Sequence, residues 1–137
     1  MFKTRQKGHA GPSKGKKPQA ASRAELEAFL QTEPLEKDGV IYIHVPFCDN
    51  ICSFCSMNRT KLEDELDSYT QYLLGETRKY GKFPYLQAKN IRSVYFGGGT
   101  PTILKEKHLE PIITALRSNF NISDDCEFSL ETTLHNL

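Results

Sequence analysis

Cysteines are the residues of this chain whose types and spacing are best suited to chemistry. Four are present, and Cys48, Cys52 and Cys55 lie close together, whereas Cys126 stands alone. Three and then two residues separate the clustered cysteines, a spacing that lets one loop surround a compact inorganic cluster. Iron–sulfur clusters are held by cysteine thiolates, usually four of them. Three thiolates would leave one iron open, and an open metal position is typical of catalytic rather than structural sites.

Two other interpretations of these cysteines stay open at this stage. A zinc site could use them with His44 or Cys126 as the fourth ligand, although zinc sites usually combine two pairs of ligands that are well separated in sequence. They could also be free structural thiols, but crowding three thiols in one loop has no packing rationale. The basic N-terminus lacks the apolar stretch of a secretion signal, which predicts a cytoplasmic protein and favours ligands or catalytic groups over disulfides.

Two further features could contact a ligand. Residues 97–101 read Gly-Gly-Gly-Thr-Pro, which matches neither a dinucleotide fingerprint nor a Walker loop, because no GxGxxG and no Gly-Lys-Ser/Thr is present. Successive glycines let the backbone approach a ligand closely, whereas the simpler interpretation is a tight turn. Glu131 ends a short apolar run, and its simpler interpretation is a solvated carboxylate.

The elements that must position these features alternate along the chain. A capping box at Ser22 and Glu25 predicts a helix to about residue 31, and Asp38-Gly39 predicts a break before the first strand. Hydrophobic patterns predict strands over about 40–45, 91–96 and 126–131, and helices over about 62–79 and 107–119. Helices between short strands predict an α/β fold with a parallel sheet and right-handed crossovers. Tyr42 and His44 are expected on one face of the first strand.

The cysteine segment, the glycine run and Glu131 each fall at the end of a predicted strand. In parallel α/β folds the chemistry lies beyond the carboxyl ends of the strands. The three features are therefore expected to meet at one edge of the sheet.

Composition separates an arm from a domain. The chain has 137 residues, of which 38% are hydrophobic and 26% charged, and its apolar runs are too short to predict a membrane span. Residues 1–21 contain lysine, arginine, glycine and proline but no acidic residue, which predicts a disordered, solvated basic arm. Contact of this arm with nucleic acid or anionic lipid is the alternative, but a solvated arm is favoured and no nucleic-acid partner is expected. Residues 22–137 are expected to form one domain.

The motif over residues 42–48, Tyr-Ile-His-Val-Pro-Phe-Cys, followed by Cys-Ser-Phe-Cys at 52–55, resembles the signature of radical S-adenosylmethionine enzymes. More narrowly, it resembles the oxygen-independent coproporphyrinogen III oxidase-like group, over about residues 40–137. The resemblance implies that Cys48, Cys52 and Cys55 bind three irons of a [4Fe-4S] cluster and that S-adenosylmethionine binds the fourth. An electron from a flavodoxin- or ferredoxin-type donor would then split the sulfonium bond and give a 5′-deoxyadenosyl radical.

The same resemblance implies a set of S-adenosylmethionine contacts. Phe54 would lie near the adenine, although plain core packing is an equal alternative, and the glycine run would line the methionine moiety. Relatives tend to have Asn-Pro or Asp-Pro shortly after the position of Glu131. This chain has Thr132-Thr133 there and so departs from the family pattern next to Glu131. The implied contacts are Tyr42, Phe54, Gly98, Gly99, Thr100 and Glu131.

The group contains several activities: oxidative decarboxylation of coproporphyrinogen III, heme-chaperone function and anaerobic heme breakdown by radical methyl transfer. The decarboxylase typically has a further cysteine two residues after the third, where this chain has Met57. The resemblance therefore implies a tetrapyrrole substrate without selecting the reaction. A heme-binding protein or an Fe–S carrier without turnover is the alternative from another functional class.

The predicted fold is part of a larger architecture. A radical S-adenosylmethionine barrel needs about six strand–helix units, and related eight-unit barrels run to roughly 250 residues. The pattern here predicts about three such units. We therefore expect the N-terminal portion of a TIM-type barrel, truncated at its C-terminus.

Overall fold

The computed structural model describes residues 20–48 and 65–134, and the structural statements below refer to these residues. They form a three-stranded sheet with helices between the strands. The strands are β1 (Asp38–Val45), β2 (Asn90–Gly98) and β3 (Asn121–Leu130). The helices are α1 (Arg23–Leu30), α2 (Leu66–Tyr80), α3 (Pro84–Gln87) and α4 (Glu106–Asn119), with a 3₁₀ turn at Pro101–Ile103.

The sheet is parallel and has the order β1-β2-β3, which confirms the predicted α/β fold. Tyr42 of β1 lies beside Tyr95 of β2, which in turn lies beside Ser129 of β3. Because side chains alternate between the two faces of a strand, these three residues share one face. His44 lies on the same face as Tyr42, as predicted, opposite Gly97.

The hydrophobic core lies between the other face of the sheet and the two long helices. Val45, Val94 and Ile112 are completely buried there, with Leu116 nearly so. Helices α2 and α4 pack against each other over this face. Burying one such side chain contributes about 1.5–3 kcal/mol. The alternation of apolar and polar residues in β1 and β2 is therefore what directs the helices to one side.

A buried histidine joins the two core helices. His108 of α4 accepts a hydrogen bond from the Lys105 backbone N–H through Nδ1 (3.1 Å), so in the neutral ring Nε2 carries the proton and donates to Asp67 of α2 (2.8 Å). Lys107 also donates to Asp67 (3.0 Å), and these hydrogen bonds, that of Lys107 foremost, hold the pKa of the Asp67 carboxyl below its usual range. His108 is thus fully used in fixing α4 against α2.

The helix at the start of the described residues has the predicted capping box. The Ser22 N–H donates to Glu25 Oε2 (2.7 Å), and the Glu25 N–H donates to Ser22 Oγ (3.3 Å). These hydrogen bonds lower the pKa of Glu25. The confirmed motif shows that this helix begins for local reasons.

Several predicted boundaries were wrong. Asp38-Gly39 does not break the chain but begins β1, because the Asn90 N–H donates to the Lys37 carbonyl (2.7 Å) and draws the segment alongside β2. Strand β2 continues through Gly98, and β3 begins at Asn121 instead of about 126, with an irregularity in its pairing to β2. Helix α3 and the 3₁₀ turn were not predicted.

Other predictions concern residues outside the described ranges. The expected start of the second helix at about residue 62 is one of them, although α2 ends at Tyr80 before Gly81, as predicted. The predicted basic arm also lies mostly outside the described ranges, which begin at residue 20. Across the described parts of the chain, no helix has both the length and the apolar character needed to cross a membrane.

Candidate functional site at the carboxyl ends of the strands

The ends of β1 and β2 are joined by backbone hydrogen bonds that continue past the strands. The Gly99 N–H donates to the Val45 carbonyl (2.8 Å), and the Thr100 N–H donates to the Phe47 carbonyl (2.7 Å). The glycine run therefore lies directly beside the residues that lead into the cysteine segment. This juxtaposition agrees with the expectation that the two features meet at one edge of the sheet.

Cys48 is buried, with 8% of its surface exposed, and its thiol is free. A Cβ atom at Gly99 would clash with the Phe47 carbonyl oxygen and would lie 2.7 Å from Cys48 Sγ, so any residue other than glycine would disturb the backbone or the thiol here. A buried thiol at a strand end, facing a backbone without side chains, fits the donor chemistry of a cluster ligand. Cys52, Cys55 and Phe54 lie outside the described residues, and their predicted roles remain predictions.

Within residues 20–48 and 65–134, no group of three potential metal ligands comes together. Cys126 packs with the partly buried residues around the core, and its Sγ lies 3.7 Å from the carbonyl oxygen of Glu127. Partial burial raises the pKa of this thiol, which disfavours the thiolate needed for metal binding. The environment of Cys126 therefore differs from that of Cys48.

Gly98 has a backbone conformation that favours glycine, with φ of +122°. A Cβ atom there would also lie 2.7 Å from the Val45 carbonyl oxygen and 2.9 Å from His44 Cε1. At Gly97 a Cβ atom would meet the rings of Tyr42 and Tyr95 at 2.8 and 2.9 Å. The glycines are needed first for close approach of the two strands, a reason that the sequence did not reveal.

Two tyrosines cover the open face of the sheet next to the glycine run. The rings of Tyr42 and Tyr95 are stacked, with centroids 6.0 Å apart and an angle of 19° between their planes. Their exposed fractions are 56% and 38%. The Tyr42 hydroxyl shares a hydrogen bond with His44 Nδ1 (3.1 Å). Tyr42 thus presents a ring and a hydroxyl on the open face, and the cofactor contact that the family resemblance implies for it remains a prediction.

Glu131 is the first residue after β3 and is tied to β2 by three hydrogen bonds. Its N–H donates to the Phe96 carbonyl (3.0 Å), its Oε1 accepts from the Tyr95 hydroxyl (2.5 Å), and its Oε2 accepts from the Gly98 N–H (3.0 Å). The hydrogen bond to Glu131 is the main reason that the pKa of Tyr95 is raised. The carboxylate is exposed but held in place, so it is more than a freely solvated strand end.

Thr100 is buried where the chain leaves the sheet. Its N–H donates to the Phe47 carbonyl and its carbonyl accepts from the Ile103 N–H (3.0 Å), which begins the 3₁₀ turn. Two residues on, the hydroxyl of Thr102 lies 2.9 Å from that of Thr132, just beyond Glu131. The segments after β2 and β3 are therefore linked beside the glycine run.

Sequence reasoning missed two tyrosines at this edge. Tyr95 was assigned only to a strand, although its position two residues before Gly97 is a signal that it shares a face with the glycine run. Tyr69 falls within the predicted helix over about 62–79 without a role of its own, yet its hydroxyl donates to the His44 carbonyl (2.7 Å). No local signal in the sequence points to that contact.

The parallel sheet, with α2 and α4 on one face and polar groups beyond its strand ends, has the arrangement expected for part of a TIM-type barrel, which is the predicted fold. A solved structure titled "Coproporphyrinogen III oxidase (HemN) from Escherichia coli is a Radical SAM enzyme" is similar to it. The TM-score is 0.72 at 25% sequence identity, over 82% of this chain and 26% of that one. The partial barrel is thereby confirmed.

Curated proteins give the same result at the level of sequence. The oxygen-independent coproporphyrinogen III oxidase of Mannheimia haemolytica is 35% identical over 98 residues, which cover 70% of this chain and 66% of that protein. Anaerobilin synthase of Escherichia coli O157:H7 is 38% identical over 93 residues, which cover 67% of this chain and 21% of the synthase. No family model matches the chain.

The chain belongs to the radical S-adenosylmethionine superfamily, in the oxygen-independent coproporphyrinogen III oxidase-like group. It spans only about a quarter of the length of the first curated oxidases it matches, with 23% of each covered.

Proposed function

We propose that this chain carries the cluster-binding and cofactor-binding part of a radical S-adenosylmethionine enzyme, with Cys48, Cys52 and Cys55 as ligands of a [4Fe-4S] cluster. The observation that carries the proposal is the position of Cys48. It is buried at the end of β1 against the bare backbone of Gly99, beside the glycine run. When bound, the cluster would supply the electron that splits the sulfonium bond of S-adenosylmethionine into methionine and a 5′-deoxyadenosyl radical.

The residues of the chain would bind and orient the cofactor. Gly98, Gly99 and Thr100 bring backbone to the edge of the site without bulky side chains, so a ligand can lie close to it. Glu131 offers a carboxylate whose direction is already set by its bonds to β2. Such a fixed acceptor suits the amino or hydroxyl groups of S-adenosylmethionine, and its negative charge suits a cationic ligand.

Tyr42 and Phe54 complete the proposed cofactor contacts. Tyr42 projects from the open face of β1 with its ring stacked on Tyr95, which leaves a flat aromatic surface beside the glycine run. Aromatic faces attract cations as well as apolar groups. Phe54, next to Cys55, is proposed to lie near the adenine, on the basis of the family resemblance.

We propose a tetrapyrrole as substrate and a flavodoxin- or ferredoxin-type protein as electron donor. The similarity to proteins named for coproporphyrinogen oxidation and anaerobilin synthesis supports the first part. Met57 stands where the decarboxylases typically have another cysteine, which counts against decarboxylation and leaves radical methyl transfer to heme and heme-chaperone function as the other candidates. A carrier without turnover is the outcome if no S-adenosylmethionine is consumed.

The first test is anaerobic reconstitution with iron and sulfide, followed by iron and zinc analysis. Wild-type protein should bind about four irons per chain with the visible absorption of thiolate-ligated clusters. Cys48→Ala, Cys52→Ala and Cys55→Ala should each abolish this cluster. Cys126→Ala is the matched control and should keep it. Stoichiometric zinc without iron uptake would contradict the proposal.

The second test separates an enzyme from a carrier. The reduced, cluster-loaded protein is incubated with S-adenosylmethionine under strict anaerobiosis, and 5′-deoxyadenosine and methionine are measured. Equal amounts of the two products are expected because one bond is broken. A fully loaded cluster that yields neither product would assign the chain to a carrier.

A further inference from the structure

Tyr69, in the first turn of α2, contacts the end of β1 in two ways. Its hydroxyl donates a hydrogen bond to the His44 carbonyl (2.7 Å). Its ring lies edge-on to that of Phe47, with centroids 5.3 Å apart and planes at 81°. Both contacts fall just before Cys48, so one side chain holds the last residues that precede the cysteine segment.

The hydroxyl has a specific partner because β1 is an edge strand. No further strand pairs with its outer side within the described part of the chain. A backbone carbonyl at a sheet edge needs a partner from outside the sheet, and an unpaired one costs free energy when it is shielded from water. Tyr69 supplies this partner at His44, where the strand is about to end.

The opposite side of the same segment is held by the glycine run. Val45 and Phe47 accept hydrogen bonds from the N–H groups of Gly99 and Thr100 (2.8 and 2.7 Å). The residues leading to Cys48 therefore lie between the backbone of β2 on one side and Tyr69 on the other. Removing either partner would free the position of the Cys48 thiol.

Tyr69 also joins the two ends of the cysteine segment. Residues 49–64 lie outside the described ranges. After them, the Glu65 carbonyl accepts a hydrogen bond from the Tyr69 N–H (2.7 Å). The backbone of Tyr69 is thus bonded to the residue that follows these positions, while its side chain is bonded to the strand that precedes them.

The environment of Tyr69 keeps its hydroxyl a donor. Burial raises the pKa of this phenol to about 12, so it stays protonated at neutral pH. Tyr72 lies one turn further along the same helix, but 69% of its surface is exposed. The helix therefore contains both the residue of interest and a matched control.

We propose that Tyr69 is a positioning residue for the proposed metal ligand Cys48: it holds the end of β1 so that the Cys48 thiol is in place for the cluster. The inference rests on the proposed cluster function. Among the described residues, the inference depends on the contacts of Tyr69 with the His44 carbonyl and the Phe47 ring.

The test compares Tyr69→Phe with Tyr72→Phe. Tyr69→Phe keeps the ring against Phe47 and removes only the hydroxyl. Loss of the reconstituted cluster to an iron chelator under anaerobic conditions should become about two- to tenfold faster, the range expected for one hydrogen bond. The electron paramagnetic resonance signal of the reduced cluster should broaden or shift. Tyr72→Phe should match wild type in both measurements.

A second measurement needs no cluster. In the apo-protein, alkylation of the buried Cys48 thiol should be faster in Tyr69→Phe than in wild type and Tyr72→Phe, as followed by mass spectrometry. Wild-type rates of alkylation and cluster loss in Tyr69→Phe would overturn the inference. A lower melting temperature with both rates unchanged would also overturn it and leave Tyr69 a role in the fold alone. If wild-type protein takes up no iron at all, the proposed function itself fails.

Discussion

The two faces of the sheet differ in what covers them, although neighbouring residues of the same strands form both. On one face, Val45 and Val94 are completely buried beneath α2 and α4. On the other, Val40, Tyr42 and Tyr95 are exposed by 75%, 56% and 38% within the described structure. The covered face holds the fold together, whereas the open face carries polar and aromatic groups that remain partly exposed.

The difference between the two faces shows where ligand-binding side chains can lie without lowering the stability of the fold. Side chains on the open face bury little apolar surface, so their identity contributes little to folding. The two roles meet only at the strand ends, where Gly98 and Gly99 contact the residues before Cys48. A substitution there should disturb both stability and ligand binding.

The largest effect on stability is expected in the core between the covered face of the sheet and α4. Ile112→Ala removes a completely buried side chain and should lower the free energy of unfolding by about 2–5 kcal/mol, through lost burial and the cavity left behind. Urea denaturation of the apo-protein measures it. Tyr42→Ala, on the open face, is the matched control and should change stability by less than half as much. Equal losses in the two variants would show that the faces do not differ as described.

Gly98→Ala should have the next largest effect, because it acts where the faces meet. The positive φ and the 2.7 Å approach of a Cβ atom to the Val45 carbonyl predict a loss of about 1–3 kcal/mol in stability and weaker S-adenosylmethionine binding. Gly75→Ala is the control, since a Cβ atom there meets nothing within 4 Å in the middle of α2. That variant should gain about 0.5–1 kcal/mol. A neutral Gly98→Ala would contradict the close packing of the glycine run.

Tyr95→Phe should alter binding without altering the fold. It removes the hydrogen bond to Glu131 Oε1 and leaves the one from Gly98, so the carboxylate becomes less well oriented. We expect about two- to fivefold weaker S-adenosylmethionine binding by the cluster-loaded protein, since the bond is exposed to solvent. Calorimetry measures this affinity, and the melting temperature should match that of wild type. Unchanged affinity with lower stability would assign Tyr95 to the fold.

The smallest effect appears at alkaline pH and concerns the partly buried Tyr69. The pKa of Tyr69 is raised to about 12, so the folded protein keeps this proton after the unfolded chain has lost its own near 10. Its contribution to stability is therefore complete below pH 10 and is lost as the pH rises towards 12. In an ultraviolet titration, Tyr69→Phe should remove a late step that Tyr72→Phe retains. Its presence in both variants would place the late step on another tyrosine.

Much of the fold followed from local patterns. The capping box at Ser22 and Glu25, the end of α2 before Gly81 and the β-α-β-α-β order were all predictable. Each depends on residues no more than a few positions apart, whose propensities act before any tertiary contact forms. The beginning of β3 was not predictable, because it is set by pairing with Asn90 and Ile91 of β2.

The candidate site divides in the same way. Cys48, the glycine run and Glu131 could be named from residue type and from their places at predicted strand ends. The bonds that orient them join distant positions: Tyr95 to Glu131 across 36 residues and Tyr69 to His44 across 25. Sequence determined which groups are present and at which edge they gather, since strand direction follows from the order of elements. Only the tertiary structure decided which hydroxyl contacts which partner, because that depends on strand register and helix placement rather than on neighbouring residues.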